Sequence, residues 1–136
     1  MWKFRKKGPP APTRPTGRID YPDGVAVETE AQRYYIKSGK KYRFTSERVF
    51  DSWSLSLATS SEASVAHIPQ APTVMGFRDG TLVMDFTDNI LYLISGLKRR
   101  KVTNPDWMDR LNLNVEDAIL ASAKEIALHL EGEDLS

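Results

Sequence analysis

The chain of 136 residues contains no cysteine and only two histidines, His67 and His129. The absence of cysteine excludes a disulfide framework, a thiolate nucleophile and a cysteine-rich metal site. Neither histidine has a ligand-spaced acid or histidine beside it, so we expect both to be surface or helix-capping residues rather than metal ligands. No apolar run approaches the roughly 18 residues needed to span a bilayer. The basic start has no apolar h-region behind it, which predicts synthesis in the cytoplasm without a signal peptide.

The sequence also lacks the residue sets on which catalysis depends. No phosphate loop, nucleophile elbow or dinucleotide fingerprint is present. Asp85 and Asp88 lie close together, but they lack the glycine turn and distal glutamate of a calcium loop. Glu28 and Glu30 lie at a similar place earlier in the chain, so acidic residues recur there, but such short acidic patterns often arise by chance and we expect a solvated hairpin edge rather than a metal site. We therefore predict a protein that is not an enzyme and that has no metal or other cofactor.

Positive charge is concentrated at the start of the chain. Residues 1–18 hold six basic residues and no acid, whereas the other 118 residues hold 13 basic and 18 acidic ones. Four prolines in the same stretch remove backbone donors and favour extended geometry. We predict an extended basic arm over residues 1–18 that binds a partner. Its candidate contact residues are aromatic or basic: Trp2, Lys3, Phe4, Arg5, Lys6, Lys7 and Arg14.

The rest of the sequence repeats itself. Stretches that begin at Asp23-Gly24 and Asp79-Gly80 align with an offset that drifts from 56 to 58 residues. The alignment places Tyr35 on Tyr92, and it continues through paired Ser-Gly turns into a short helix with an aromatic residue. A duplication with a fixed period is stronger evidence for the architecture than the secondary-structure propensity of any single segment. Each copy therefore predicts a strand, a β-hairpin and a short helix.

These signals predict an α+β fold of two tandem small repeats, each a β-hairpin with a short helix. A C-terminal amphipathic helix follows, because Val115, Ile119, Ala123, Ile126 and Leu130 form one apolar stripe at helical spacing. The predicted divisions are an arm over 1–18, repeat 1 over 19–68, a connector over 69–76, repeat 2 over 77–113, a C-terminal helix over 114–131 and an acidic tail over 132–136.

Basic side chains cluster at both hairpins, where tyrosines lie among them. Basic residues interleaved with aromatic ones can follow a phosphate backbone or an acidic surface. Alternatively, the lysines form the solvent-exposed face of each hairpin and discourage edge-to-edge aggregation. The acidic character of the remaining body favours this solvent-exposed role over binding of a phosphate backbone or an acidic surface. The candidate hairpin-surface residues are Tyr35, Lys40, Lys41, Tyr92, Lys98 and Arg99.

The paired motif resembles a known repeat. The pattern Asp-Gly-x-(Leu/Val), then Tyr-(Leu/Ile) and a glycine turn followed by Lys/Arg, is carried by DGVAV…YYIKSGKKYRF and DGTLV…YLISGLKRRKV. This YLI-x-G-x-KR type of hairpin and helix repeat is similar to one found in bacterial cell-surface proteins and in bacteriophage virion proteins. The surface versions follow a secretion signal, so the resemblance implies a virion component. In such particles folded modules occupy a symmetric lattice and extended arms join neighbours.

Three functions are compatible with these features. The first is a structural or assembly protein of a bacteriophage head, neck or tail, whose basic arm binds the acidic body of a neighbour. Its partners would be other virion proteins or copies of itself, and it would be found in the virion once assembled. The second is a cell-wall or saccharide-binding module whose stacking platforms would be Tyr35, Tyr92 and either Trp53 or Trp107. The third is a nucleic-acid-binding protein that uses the basic hairpins.

Overall fold

The computed structural model describes residues 14–136 of the chain. The described part contains strands and short helices arranged in two sheets, which confirms the predicted α+β class. None of its helices is both long enough and apolar enough to cross a membrane. Six of the predicted arm contacts lie outside the described residues: Trp2, Lys3, Phe4, Arg5, Lys6 and Lys7.

Strands and helices alternate along the described chain. The strands are β1 (Ala26–Glu28), β2 (Arg33–Lys37), β3 (Lys40–Phe44), β4 (Leu57–Thr59), β5 (Leu82–Asp85), β6 (Leu91–Ser95), β7 (Lys98–Lys101), β8 (Ile119–Ala121) and β9 (Leu130–Glu131). The helices are α1 (Glu47–Ser52), α2 (Glu62–Val65), α3 (Asp106–Arg110) and α4 (Ala123–Ile126), with a 3₁₀ turn at Val115–Asp117.

The chain folds into two units of the same topology, unit one (residues 23–75) and unit two (residues 79–135). Each has three antiparallel strands, a helix, a strand that pairs in parallel with the first strand, and a second short helix. The first sheet has the order β3-β2-β1-β4, and the second has the order β8-β5-β6-β7-β9. The structural repeat therefore continues past the predicted repeat 2 into the C-terminal region.

The register of the two hairpins corrects the sequence alignment by one residue. Gly24 N–H donates to the carbonyl of Ile36 at 2.8 Å, and Gly80 N–H donates to the carbonyl of Ile94 at 2.7 Å. The residue that matches Tyr92 is therefore Tyr34, because each lies two positions before the matched isoleucine. Side chains alternate along a strand, so this shift moves the matching tyrosine to the opposite, buried face.

The second hairpin turns one residue later than the repeated Ser-Gly pair predicts. Ser95 pairs with Lys98 in the β6–β7 ladder, so the two turn residues are Gly96 and Leu97. Both have positive φ, 59° and 64°, as a tight hairpin turn requires. The turn of the first hairpin lies at Ser38-Gly39, as predicted.

The structure has two hydrophobic clusters, and α1 belongs to the one that spans both sheets. A small cluster contains one face of the first sheet and part of α2: Val27, Tyr34, Ile36, Val65 and Ile68. The larger cluster joins α1 to the second sheet and includes Phe44, Val49, Phe50, Val83, Tyr92, Ile94, Ala121 and Ile126. The units therefore share one core and form a stack.

The predicted C-terminal helix over 114–131 is wrong. The structure divides this stretch into the 3₁₀ turn, β8, α4 and β9. β8 pairs in parallel with β5, so its backbone groups are satisfied by the sheet. Ser122 then starts a new helix through a capping box with Glu125, which ends the preceding extended backbone. The apolar stripe is not one helical face, because Val115 and Leu130 are exposed while Ile126 is buried.

The predicted connector and tail have matching places in the stack. Met75 N–H donates to the carbonyl of Arg43 at 2.8 Å, and Leu135 N–H donates to that of Lys101 at 2.7 Å. Both donor residues are buried. Residues 69–76 and 132–136 therefore pack against the third strand of their own units.

Candidate protein interface

A wide groove lined by both apolar and polar side chains opens on unit two beside α3. It has a volume of about 730 Å³. Val115 on its wall is 51% exposed, and Leu111 on the neighbouring turn of chain is 42% exposed. We call this feature the open groove and define it by Leu91, Val102, Met108, Asp109, Leu113 and Val115.

The matching surface of unit one is buried beneath unit two. Ser54 and Asn112 both have left-handed backbone, with φ of 51° and 53°, which fixes the correspondence of α1 and α3. By this correspondence Phe50 matches Met108. Phe50 is 9% exposed and belongs to the cluster shared with the second sheet, whereas α3 has no buried residue. The open groove is thus the face that a following unit would cover.

Polar contacts show how unit two covers α1. The Arg48 guanidinium lies 2.9 Å from Oε1 of Glu125, and Ser46 Oγ donates to the same carboxylate. Burial opposes ionisation of Glu125, but hydrogen bonds from Ser122, Ser46 and Arg48 outweigh it and lower the pKa of this carboxyl. The Trp53 indole N–H also donates to the carbonyl of Gly76, in the segment between the two units, at 2.9 Å.

Residues 14–21, which we call the N-terminal segment, cover the outer face of unit one. The Arg14 guanidinium donates to the carbonyls of Glu28 at 3.1 Å and Ser60 at 2.9 Å. Tyr21 packs on the smaller hydrophobic cluster. The predicted arm over 1–18 therefore includes residues that lie on the body of their own chain, and Arg14 binds that body.

The N-terminal segment occupies the position on unit one that α1 occupies on unit two. Ser64 and Glu125 are the third residues of α2 and α4, and each helix begins at a capping serine. Ser64 Oγ donates to the carbonyl of Pro15 at 3.1 Å, whereas Glu125 accepts from Ser46 and Arg48 of α1. The outer end of unit one is capped, and the outer end of unit two is not.

The structure distributes the predicted hairpin-surface residues between the surface and the interior. Lys40 and Lys98 are exposed, and Tyr35 and Arg99 are half-buried. Tyr92 is a core residue with 9% exposure, so its prediction as a surface residue is wrong because the register places it inward.

Lys41 is also wrongly predicted as a surface residue. It is 7% exposed, and its Nζ donates to the carbonyl of Val65 at 3.0 Å and lies 5.3 Å from the ring centre of Tyr34. Arg99 is the matching residue of unit two and donates to the carbonyl of His129 at 2.6 Å. Lys41 and Arg99 therefore bind carbonyl groups at or just after the second helix of their own units.

An aromatic cleft of about 330 Å³ lies between the hairpins of the two units. We define it by Tyr35, Tyr42 and Trp53. The rings of Tyr35 and Trp53 are 5.5 Å apart and tilted by 33°. The turn residue Leu97 of the second hairpin closes one side. The structure brings two of the predicted stacking residues together here and buries Tyr92 elsewhere.

The acidic and histidine residues have structural partners. Asp85 accepts from Thr87 N–H and Asp88 accepts from Ile90 N–H, both at 2.9 Å, as in turns stabilised by aspartate. His67 lies 2.8 Å from Asp20, and this hydrogen bond is the main reason that the pKa of Asp20 is lowered. Among residues 14–136 no three His, Asp or Glu side chains converge in the manner of a metal site.

Sequence reasoning did not identify the open groove. The available signal was the apolar spacing that α3 shares with α1. Trp107 and Met108 have the spacing of a buried helix face, but the structure leaves both of them only half-buried.

Comparisons with known proteins give little further information. No family model matches the chain, and no curated protein matches it. One solved structure, "Structure of the periplasmic assembly from the ESX-5 inner membrane complex, C1 model", is similar with 12% sequence identity and a TM-score of 0.34. The similarity covers 90% of this chain and 42% of that one, so this chain spans less than half the length of the matched protein. A likeness this low carries no argument about function.

Proposed function

We propose that this protein is a non-enzymatic assembly component that binds other protein chains, and that the assembly is a bacteriophage particle. The observation that carries the proposal is the open groove, whose counterpart in unit one lies buried against a neighbouring unit. Stacked repeats bury a continuous core, and their terminal units need a polar or covered outer face to remain soluble. Unit two instead leaves apolar side chains such as Val115 and Leu111 exposed at the open groove, so a partner that covers them removes apolar surface from water.

The particle is proposed from the repeat type and the charge distribution. The hairpin and helix motif resembles one found in virion proteins, and residues 1–18 carry six basic residues and no acid. A basic arm on one subunit complements the acidic body of another, which favours and steers association. The protein would be made in the host cytoplasm and would reside in the head, neck or tail of the finished particle.

The test is whether the chain is a stoichiometric part of a particle. Virions purified by density gradient from the producing culture are digested, and the chain is quantified by mass spectrometry against the major capsid protein. We expect a fixed copy number per particle that survives a high-salt wash. Presence of the chain only in the soluble lysate, and its absence from banded particles, would contradict the proposal.

The aromatic cleft supports saccharide binding as a second candidate function. Tyr35 and Trp53 are half-buried and present adjacent rings, the arrangement on which a sugar ring can stack. The check is a pull-down on purified cell wall with the full chain and with Tyr35→Ala. Retention of the wild-type chain that the substitution removes would support this candidate. Equal retention or no retention of both proteins would dismiss it.

A further inference from the structure

We propose that the partner covering the open groove is a second copy of this chain, which docks by its N-terminal end so that copies join head to tail. The inference rests on the proposed assembly function and specifies the partner of that same groove. Residues 1–13 of the second copy enter the groove, and its N-terminal segment lies next to the groove. This contact differs from the one between unit one and unit two, because the N-terminal segment of the second copy already occupies the place on α2 that α1 occupies on α4.

The internal interface shows how this kind of surface is covered. Within one chain, the outer side of α1 is covered by the next unit, and Phe50 is buried there. Met108 holds the matching position on α3 and is only half-buried. A second chain that docks by its unit one on this face presents its N-terminal segment, rather than α2 itself, to the open groove.

The N-terminal segment lies at the centre of that incoming face. It packs on α2 through Pro15 and Ile19, at the position where α1 packs on α4 in unit two. Arg14 is fixed on the carbonyls of Glu28 and Ser60, so the residues that precede it begin at this face. In the proposed contact, residues 1–13 of one copy therefore start beside the open groove of the next.

The chemistry of the two surfaces is complementary. Residues 1–13 contain two aromatic side chains, four basic ones and no acid. The open groove offers apolar walls for Trp2 and Phe4, and it has Asp109 in its lining. Further exposed acids lie on α3 and the 3₁₀ turn that flank it: Asp106, Glu116 and Asp117.

A contact between two different surfaces of the same chain leaves one groove and one N-terminal end free at every step. Such head-to-tail contacts build rings where the rotation closes and open filaments where it does not. A contact of groove against groove would instead stop at a dimer. The two modes therefore differ in the largest species that forms.

The first experiment is sedimentation velocity of the full chain over a concentration series. We expect species larger than a dimer, and we expect Val115→Asp to weaken association by roughly thirtyfold or more, the effect of losing one central apolar contact. The matched control is Phe86→Asp, because Phe86 is 55% exposed and lies outside the groove. Asp109→Lys is a second groove variant at an exposed helical position, and amide spectra of each variant confirm folding.

The second experiment mixes two defective proteins. The Val115→Asp protein has a defective groove and an intact N-terminal end. The double variant Trp2→Ser, Phe4→Ser has an intact groove and a defective N-terminal end. Each is expected to be monomeric alone, and an equimolar mixture is expected to form a one-to-one heterodimer that grows no further. Failure of the mixture to associate, or a wild-type chain that never exceeds a dimer, would overturn the head-to-tail inference.

The outcome is separable from that of the proposed function. A chain that is monomeric at every concentration but stoichiometric in purified virions keeps its assembly role and loses the inference of self-association. Equal weakening by Val115→Asp and Phe86→Asp also overturns the inference, because it removes the groove from the contact.

Discussion

The imidazole of His129 lies directly against Gly76, so that a Cβ atom added to Gly76 would be 2.6 Å from Cε1 of the ring. His129 Nε2 accepts from Phe77 N–H at 2.9 Å, and Nδ1 donates to the carbonyl of Leu97 at 2.8 Å. One buried ring therefore connects the chain entering unit two, the turn of its hairpin and the end of α4. The glycine provides the room that this ring needs.

Gly76→Ala is expected to destabilise the protein by about 1–3 kcal/mol, because the added methyl group overpacks a site that cannot give way easily. The measurement is the free energy of unfolding from urea denaturation. Gly17→Ala is the matched control, since a Cβ at Gly17 has no atom within 4 Å. A Gly76→Ala protein as stable as Gly17→Ala would show that the ring moves aside without cost.

Because His129 is buried, we expect the protein to lose stability in mild acid. Burial lowers the pKa of His129 below its ordinary value, and the hydrogen bond to the carbonyl of Leu97 only partly compensates. The neutral ring is favoured in the folded state, so its contribution to stability is complete above the unfolded pKa of about 6.5. That contribution is lost as the pH falls through the lower folded pKa. Urea midpoints measured from pH 8 to pH 5 should decline in this window.

Imidazole NMR provides the residue-specific measurement for this prediction. The Cε1–H signal of His129 should remain at its neutral shift until the pH is below 6.5, with the proton on Nδ1 as the two hydrogen bonds require. His129→Gln should flatten the pH dependence of the urea midpoint. Titration of His129 at or above its ordinary pKa would contradict the buried, neutral ring.

The hairpins show where sequence reasoning succeeded and where it could not. Paired Asp-Gly and glycine-turn signals found both hairpins, because turn chemistry is local. The alignment failed at Tyr35 because the segment that joins the first and second strands is two residues longer in unit two than in unit one. Sequence spacing alone does not show at which positions those two extra residues lie. Backbone hydrogen bonds of Ile36 and Ile94 place it at once. A one-residue error then exchanged the buried and exposed faces of a strand.

The prediction of a single helix over residues 114–131 failed for a different physical reason. Ile119 and Ile126 have helical spacing, but parallel pairing of β8 with β5 outweighs helix propensity, which is a weak preference. The sequence held one warning, since Ser122 and Glu125 form a capping-box pattern inside the proposed helix. The open groove escaped prediction because exposure depends on how many units follow, which a local pattern does not contain.

The turn of the second hairpin predicts an unusual stabilising substitution. Leu97 has φ of 64°, a left-handed conformation that costs a residue with a Cβ roughly 1–2 kcal/mol. Leu97→Gly should therefore raise the free energy of unfolding by about 0.5–1 kcal/mol, since glycine's greater unfolded-state entropy offsets part of the gain. Gly39 holds the matching turn position, and Gly39→Leu should destabilise by about 1–2 kcal/mol.

Leu130→Gly is the control for this pair of substitutions. Leu130 is 76% exposed and lies in β9, outside the residues with positive φ. Removing its side chain should reduce the free energy of unfolding, because Leu130 has no left-handed backbone conformation whose strain glycine could relieve. If Leu97→Gly lowers stability as much as Leu130→Gly does, then backbone strain at Leu97 is not significant.

Adjacent lysines in the first hairpin distinguish a structural role from a surface role. Lys41→Ala should destabilise by about 2 kcal/mol, because it removes a buried four-carbon stem and a charge-assisted hydrogen bond to the carbonyl of Val65. Lys40→Ala removes the same charge from an exposed position and should change the free energy of unfolding by less than about 0.5 kcal/mol.

The same two variants test nucleic-acid binding by the hairpin. A surface that binds phosphate through its exposed charge should lose affinity with Lys40→Ala and should bind more weakly as salt increases. Lys41→Ala should leave such binding unchanged at temperatures where the variant is folded, because its ammonium group faces Val65 rather than solvent. Electrophoretic mobility shifts at low salt measure this directly. Equal loss of binding in both variants, with equal stability, would return Lys41 to the surface and contradict its place in the core.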